Sequence, residues 1–372
     1  MSANPHDALP LIERAGVMVE KVRAIAAGVA QQRGALRAML HESPFRFLAL
    51  DQVQRDPGVP VVAVDGAHVV DSEKGITYLL SAARALSDDQ MPVHASQEML
   101  IVPNMTSVDS VGKGLMTMQE IMLAVAAARE HPERLVLTDG GRISALVSLN
   151  QFYNVMTASD TLTLQSWREG ESPIVQAFER EDWLHDFLTL PNIAGLLKLV
   201  TTRQVSRYLS AQGAQVPSLD DQGLVNLLID PGESILVPYD HKDDRGKPMA
   251  VMQVTGGEQG FPYAGPLSSY AQSLYDPGDA ACLQHLYARP WPFHGVYKIE
   301  TSKGISKRLF GSLLGWWKEQ TLDPSIQEPM LNYLADRFAS QAVALSAKAA
   351  RSMMMHHMED ASFQAISAPY RT

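Results

Sequence analysis

VPVVAVDGA at residues 59–67 and RLVLTDGG at residues 134–141 decide the fold. Each is a short, almost wholly apolar run that closes on Asp-Gly, too brief for a buried helix and bounded by turn-forming residues, so each reads as a buried strand. That reading puts Asp65 and Asp139 at strand ends, where the chain turns. If the two strands are parallel neighbours, their ends lie about 4.8 Å apart and the two carboxylates can share a divalent cation. Taken singly, an Asp-Gly after a strand is equally a common hairpin turn.

The sequence between the two strands supplies a third acid. HVVDSEKGITYLL (68–80) places two strand segments around a polar turn, EMLIVPN (98–104) fits a third strand, and Val111–Glu130 is rich in helix formers. Within that helix Glu120 shares a face with Met116, Leu123, Ala124 and Ala127. A carboxylate on an inward stripe is costly unless it is paired or binds a metal; with the helical phase shifted by one residue, Glu120 would face solvent instead. Three hard oxygen donors point to Mg²⁺ or Mn²⁺, and two such ions would suit phosphodiester hydrolysis. The order strand-Asp, two strands, helix-Glu, strand-Asp describes an RNase H-like site. The expected class is therefore α/β: an RNase H-like mixed sheet core with a helical N-terminal arm, a helical insertion and a C-terminal helix.

Working outward, residues 1–50 form the arm, with amphipathic spacing over 11–41. A core domain spans 55–350, and residues 150–235 are its mainly helical insertion, with NIAGLLKLVTTRQVSRYLS (192–210) read as a helix and another helix around 223–228. Residues 249–254 suggest a strand, 255–279 a long loop, and CLQHLYARPW and GVYKIET a strand pair. A helix over 329–353 precedes a tail, 351–372, in which disorder is the simpler reading of His356-His357 than a metal site.

Composition narrows the function classes. Apolar residues at 46% and charged residues at 19% are a globular balance. The single cysteine, Cys282, permits no internal disulfide or thiolate cluster; it reads as a core residue, a catalytic thiol being the other possibility. No secretory leader and no bilayer-length apolar run is present, so the expected location is the cytoplasm. No phosphate-loop motif occurs, so any ATP-driven motor is another subunit. A net charge of −10 argues against strong DNA affinity, but Lys298, Lys303, Lys307, Arg308 and Lys318 cluster beside Phe310, Trp316 and Trp317. That cluster is either a nucleic-acid footprint or a solvated surface.

VVAVDGA, RLVLTDGGRIS and NIAGLLKLVTTRQVSRYLS resemble the recurrent blocks of the NurA nuclease family: a strand ending in Asp-Gly-Ser, a later strand ending in Leu-Asp-Gly-Ser, and a Gly-x-x-Lys start to a helix. LYARPWPFHGVYKIE is similar to that family's late Tyr-x-Lys strand and the strand after it, and EPMLNYLADRFA to its closing helix. The match covers roughly residues 55–350. The resemblance implies a metal-dependent DNA nuclease with Asp65, Glu120 and Asp139 as metal-binding acids and Tyr287 and His294 as late contributors, His294 as a ligand or proton carrier. It also implies a homodimer working on DNA ends with a HerA-type hexameric ATPase, in repair or antiphage defence. Ala67 and Gly141 stand where that family has Ser, and Arg289 where Lys is common. Lys198, Arg289, Lys298 and Lys303 are the expected DNA contacts, although a surface lysine is the simpler reading of Lys198 and His294 also fits a structural histidine. Asp336 is a further acid of interest, since RNase H-like folds often carry a fourth carboxylate on a C-terminal helix. The competing functional class is a non-catalytic adaptor that keeps the fold, docks on the ATPase through residues 11–41 and holds DNA; a nuclease acting on RNA or hybrids is a third reading.

Overall fold

The computed structural model describes residues 11–73, 76–89, 94–102, 107–158, 167–198, 203–217, 219–237, 265–274, 276, 278–326 and 328–356. Nine strands form one mixed sheet: β1 (Arg46–Ala49), β2 (Val61–Glu73), β3 (Ile76–Ser87), β4 (His94–Val102), β5 (Leu135–Asp139), β6 (Ile193–Leu197), β7 (Glu233–Val237), β8 (Leu283–Arg289) and β9 (Tyr297–Ser302). Their spatial order is β1-β7-β8-β9-β6-β5-β2-β3-β4. β5 runs parallel to both β2 and β6, and every other pair is antiparallel. The segment β4-β3-β2-β5-β6 is thus the five-stranded RNase H-like core, as expected from the order of its acids.

Helices cover both faces because successive strand residues point to opposite sides. Among its described residues the arm holds one helix, α1 (Leu11–His41), followed by β1 at the edge of the sheet. Val62, Val64 and Val136 pack under α2 (Val108–Glu130) and α3 (Arg142–Ala158). The region after α3 carries three short helices, α4 (Pro173–Arg180), α5 (Trp183–Thr189) and α6 (Gln204–Ala211), and then α7 (Asp221–Leu228). The second half of α1 packs Val29, Leu36 and Leu40 into a cluster with α7 and β7. Arg33 and Arg37 lock it there, donating to the carbonyls of Leu227 and Leu228 at the end of α7 while Arg37 forks onto Glu233 at 2.7 and 2.9 Å. After α8 (Gly265–Ser273) come α9 (Lys307–Gln320) and α10 (Met330–His356). These last two bring Leu313, Trp316, Trp317 and Ala335 against Ala63, Leu135, Leu137, Leu196 and Ile299 on the second face of the sheet.

Several local expectations change. Asp65-Gly66 is not a turn: β2 runs straight through it for 13 residues, because β3 keeps pairing as far as Glu73↔Ile76. NIAGLL is strand β6 rather than a helix start, and the mainly helical 150–235 region therefore delivers both β6 and β7 to the sheet. ISALVSL (143–149), which reads as an apolar run continuing beyond the Asp139-Gly140-Gly141 turn, lies in helix α3. The long loop expected over 255–279 contains α8. The strand expected at 249–254 lies outside the described residues, as does His357 of the histidine pair.

Candidate metal-binding acid site

β2 and β5 pair in parallel from Val61↔Leu135 to Val64↔Thr138, and there their pairing ends, while Asp139 still pairs with Leu196 of β6. Asp65 and Asp139 follow at once, on the same face as Ala63 and Leu137. Gly140 turns the chain away with φ of 94°, a conformation that favours glycine. From the opposite face α2 brings Glu120 across Gly66, and this contact explains why position 66 has no side chain. A Cβ there would lie 2.5 Å from Glu120 Oε1 and 2.6 Å from Met116 Cγ. Asp336, one residue after the buried Ala335, enters from α10. All four carboxylates line one open cavity of about 310 Å³ together with Lys113, Thr117, Gly141 and Ser144.

The electrostatics are those of a crowded anionic pocket. Asp65 is 4% exposed. Its Oδ1 accepts from the Gly66 amide at 2.7 Å, while Oδ2 is buried without a hydrogen-bond partner. Burial first, then the neighbouring Asp139, pushes its carboxyl up to about 8, against the pull of Lys198. Burial, then Asp65 and Asp139, likewise raises Glu120 well above the carboxylate range. A cation answers this charge: Lys198 Nζ donates to Asp139 Oδ2 at 2.9 Å and lies 2.6 Å from Glu328 Oε2. Burial disfavours the Lys198 ammonium, but Asp139 and Glu328 outweigh it and raise its pKa. Its backbone is fixed by Gln222, whose amide donates to the Lys198 carbonyl at 2.7 Å. Among the described residues no three carboxylate or imidazole groups already close around one point. The acids share a cavity, and a buried orphan oxygen faces charge of its own sign, which is the donor set a hard divalent cation would satisfy.

The structure brings Asp65, Glu120 and Asp139 to one cavity, and Asp336 joins them. Lys198 is no free surface lysine but the acids' counter-ion. Glu328 and Lys113 escaped notice, because nothing local to EPM or VGKG marks them as neighbours of distant acids. The late residues lie elsewhere. Tyr287 is buried in the α1–α7 cluster, its hydroxyl 3.3 Å from Asp221 Oδ2. His294 is 2% exposed beside α9, its Nδ1 3.0 Å from the Tyr297 hydroxyl, and burial lowers its pKa. Neither lines the acid cavity. Arg289 spends its guanidinium on the carbonyls of His294, Asn226 and Pro292, fastening the β8–β9 loop. Lys298 is fully buried and cannot meet a phosphate. Lys303 follows the end of β9, which pairs with the start of β6, so it stands at the opposite end of the sheet from the acids. Trp316 and Trp317 are core residues and offer no stacking platform. Cys282 is buried, as a core residue should be.

The fold has solved counterparts. The NurA nuclease from Sulfolobus solfataricus superposes with a TM-score of 0.53 at 11% identity, over 95% of this chain and 99% of that one. A NurA bound to dAMP and manganese gives 0.54 at 13% identity, over 94% and 96%. A NurA with manganese gives 0.55 at 14% identity, over 93% and 98%. No protein-family model and no curated protein matches the sequence. At such identity the likeness establishes the fold, which is of the NurA type.

Proposed function

We propose that this chain is a divalent-metal-dependent DNA nuclease, a reading carried by the convergence of Asp65, Glu120, Asp139 and Asp336 on one open cavity at the edge of the parallel strands. Mn²⁺ or Mg²⁺, as a pair of ions, would be held by Asp65, Glu120 and Asp139, with Asp336 beside them. Bound there, the metal would activate water and stabilise the leaving oxygen of a phosphodiester. A similar fold that holds dAMP and manganese supports both the ion and a nucleotide as occupants.

The chain's own groups do the rest. Lys198 keeps Asp139 and Glu328 oriented through its two short contacts, and its side chain, one-third exposed, presents positive charge to an incoming phosphate. Exposed Lys113 adds a second cation at the cavity lining. Gly66 leaves room for Glu120 and Met116, and Gly141 for Glu300, so the backbone at the cavity lining carries no side chain that would displace these groups. With a net charge of −10, this local cationic pair has to work against overall repulsion, which favours delivery of DNA by a partner. The partner we assign is a HerA-type hexameric ATPase acting with a homodimer of this chain at DNA ends. The exposed Val17, Met18, Val19 and Val22 on the free half of α1 supply an apolar surface for such docking. Among the described residues no helix is long and apolar enough to cross a membrane.

The test is cleavage of end-labelled single- and double-stranded DNA in Mn²⁺, Mg²⁺ or EDTA by wild type and Asp65→Ala. Metal-dependent products that vanish in the variant are expected. Intact DNA in every condition, also with a cognate hexameric ATPase present, would replace the nuclease by the adaptor.

A further inference from the structure

Beneath the acid cavity lies a buried charged cluster that takes no part in the chemistry above. On the α2–α3 face of the sheet, β9 presents Lys298 and Glu300, and β8 presents His285 opposite Glu300; all three are 0% exposed. Glu300 Oε1 lies 3.4 Å from Lys298 Nζ and 3.5 Å from His285 Nε2, within ion-pair range but outside hydrogen-bond geometry. A carboxylate left in the interior with such loose partners is expensive unless its position serves something else.

Its position is under the turn that follows Asp139. A Cβ on Gly141 would stand 2.0 Å from Glu300 Oε2 and 2.5 Å from its Cδ. Gly195, which pairs with Glu300 across β6 and β9, packs as closely: its Cβ would lie 2.6 Å from the Gly140 carbonyl and 2.7 Å from Gly141 Cα. The Asp139-Gly140-Gly141 turn is therefore pressed on the Gly195 backbone, with the Glu300 carboxylate filling the space a side chain at 141 would take. Beyond the turn, Arg142 is also buried, tied by its guanidinium to the carbonyls of Phe187, Leu190 and Ile193, and the Glu300 charge acts on it. The Glu300 charge thus faces Lys298 and is felt by Arg142, and the turn it packs against is the one that aims Asp139 at the cavity.

We propose that Glu300 is a positioning residue of the acid site: flanked from within by Lys298 and His285, its carboxylate packs under the Gly140-Gly141 turn and so sets the direction of Asp139. This rests on the nuclease reading for its consequence, but the contact itself is testable without metal. Support for a ligand from outside its immediate shell commonly changes metal affinity by about 10–100-fold.

The experiment compares wild type, Glu300→Gln, Lys298→Met/Glu300→Gln, Gly141→Ser and Glu300→Ala/Gly141→Ser. Each is melted in EDTA and titrated with Mn²⁺ by calorimetry, and kcat and KM are measured on DNA. Glu300→Gln keeps the volume and should fold while its Mn²⁺ Kd rises by roughly tenfold and kcat falls with KM changed less than about twofold. The Lys298→Met/Glu300→Gln double variant removes the stranded ammonium and carries the same test if the single one does not fold. Gly141→Ser should lower the EDTA melting temperature, and Glu300→Ala in the same chain should restore part of it by vacating the space. A folded Glu300→Gln protein that binds Mn²⁺ within twofold of wild type, or a Gly141→Ser protein that melts as wild type, would overturn the proposal. Wild type that binds no Mn²⁺ would sink the nuclease reading alone, leaving the 141–300 coupling to be decided by the melts in EDTA.

Discussion

Replacing Asp65 by Asn should make the metal-free protein more stable and the metal-loaded protein less so. Asp65 titrates near 8 in the folded chain against an ordinary 3.8, because burial and Asp139 disfavour its charge. Its folded pKa lies above the unfolded one, so the penalty is absent below about pH 4 and grows as pH rises toward 8. At pH 7 the mismatch spans the interval from 3.8 to 7 and amounts to at most roughly 4 kcal/mol at 1.36 kcal/mol per pH unit. Sharing the repulsion with Asp139 leaves about half of that, ~2 kcal/mol, for one substitution to relieve. Asn keeps the oxygen that accepts the Gly66 amide, so no hydrogen bond is lost. For a chain of this size the gain corresponds to a rise in Tm of roughly 2–3 °C in EDTA at pH 7, vanishing at pH 4. In Mn²⁺ at a hundred times its Kd the wild type should gain about 2.7 kcal/mol and Asp65→Asn almost nothing. Thermal melts by circular dichroism measure all four quantities. A variant that melts lower than wild type in EDTA, or keeps the full Mn²⁺ gain, would refute the reasoning.

Three further outcomes follow from the same geometry. Gly66→Ala forces a methyl onto Glu120 and Met116 and should raise the Mn²⁺ Kd at least tenfold while costing about 1–3 kcal/mol in urea unfolding; wild-type metal affinity would show that Glu120 is not held there. Glu98, raised to about 6 by burial despite the Ser172 hydroxyl and Ile174 amide, holds its proton more tightly folded than unfolded. Its contribution is complete below about pH 4.5 and lost as pH passes 6, about 2 kcal/mol in all, so Glu98→Gln should flatten the pH dependence of the urea midpoint between about pH 4 and 7. Lys113→Ala should raise KM for DNA several-fold and Lys303→Ala leave it unchanged, since only the first lines the cavity; equal effects in a salt-matched assay would contradict this placement.

How much of this was legible in the chain depends on the range of the interaction. Asp65, Glu120 and Asp139 could be read because each sits on an element with an unambiguous apolar pattern, and those elements follow one another in the order of the core. NIAGLL reads as a helix start although it is a strand, because an apolar run buried on both sides carries no period that separates the two. The Asp65-Gly66 pair looked like a turn because the residues that keep it extended, Arg84 and Ala83 on β3, act across the sheet. Charged residues misled most. Lys298 and Arg289 look like DNA contacts in one dimension, yet a central strand buries the first and a loop's carbonyls occupy the second. Conversely, the meeting of Lys198 with Glu328, and of Gly141 with Glu300, joins positions more than a hundred residues apart. No local spacing announces either.

The most direct measurement is the anomalous scattering of Mn²⁺ in crystals of the wild-type protein. Density in the cavity between Asp65, Glu120 and Asp139, absent from Asp65→Asn crystals grown alike, is the predicted result. Mn²⁺ bound elsewhere, or none at millimolar concentration, would contradict a metal site built from these acids.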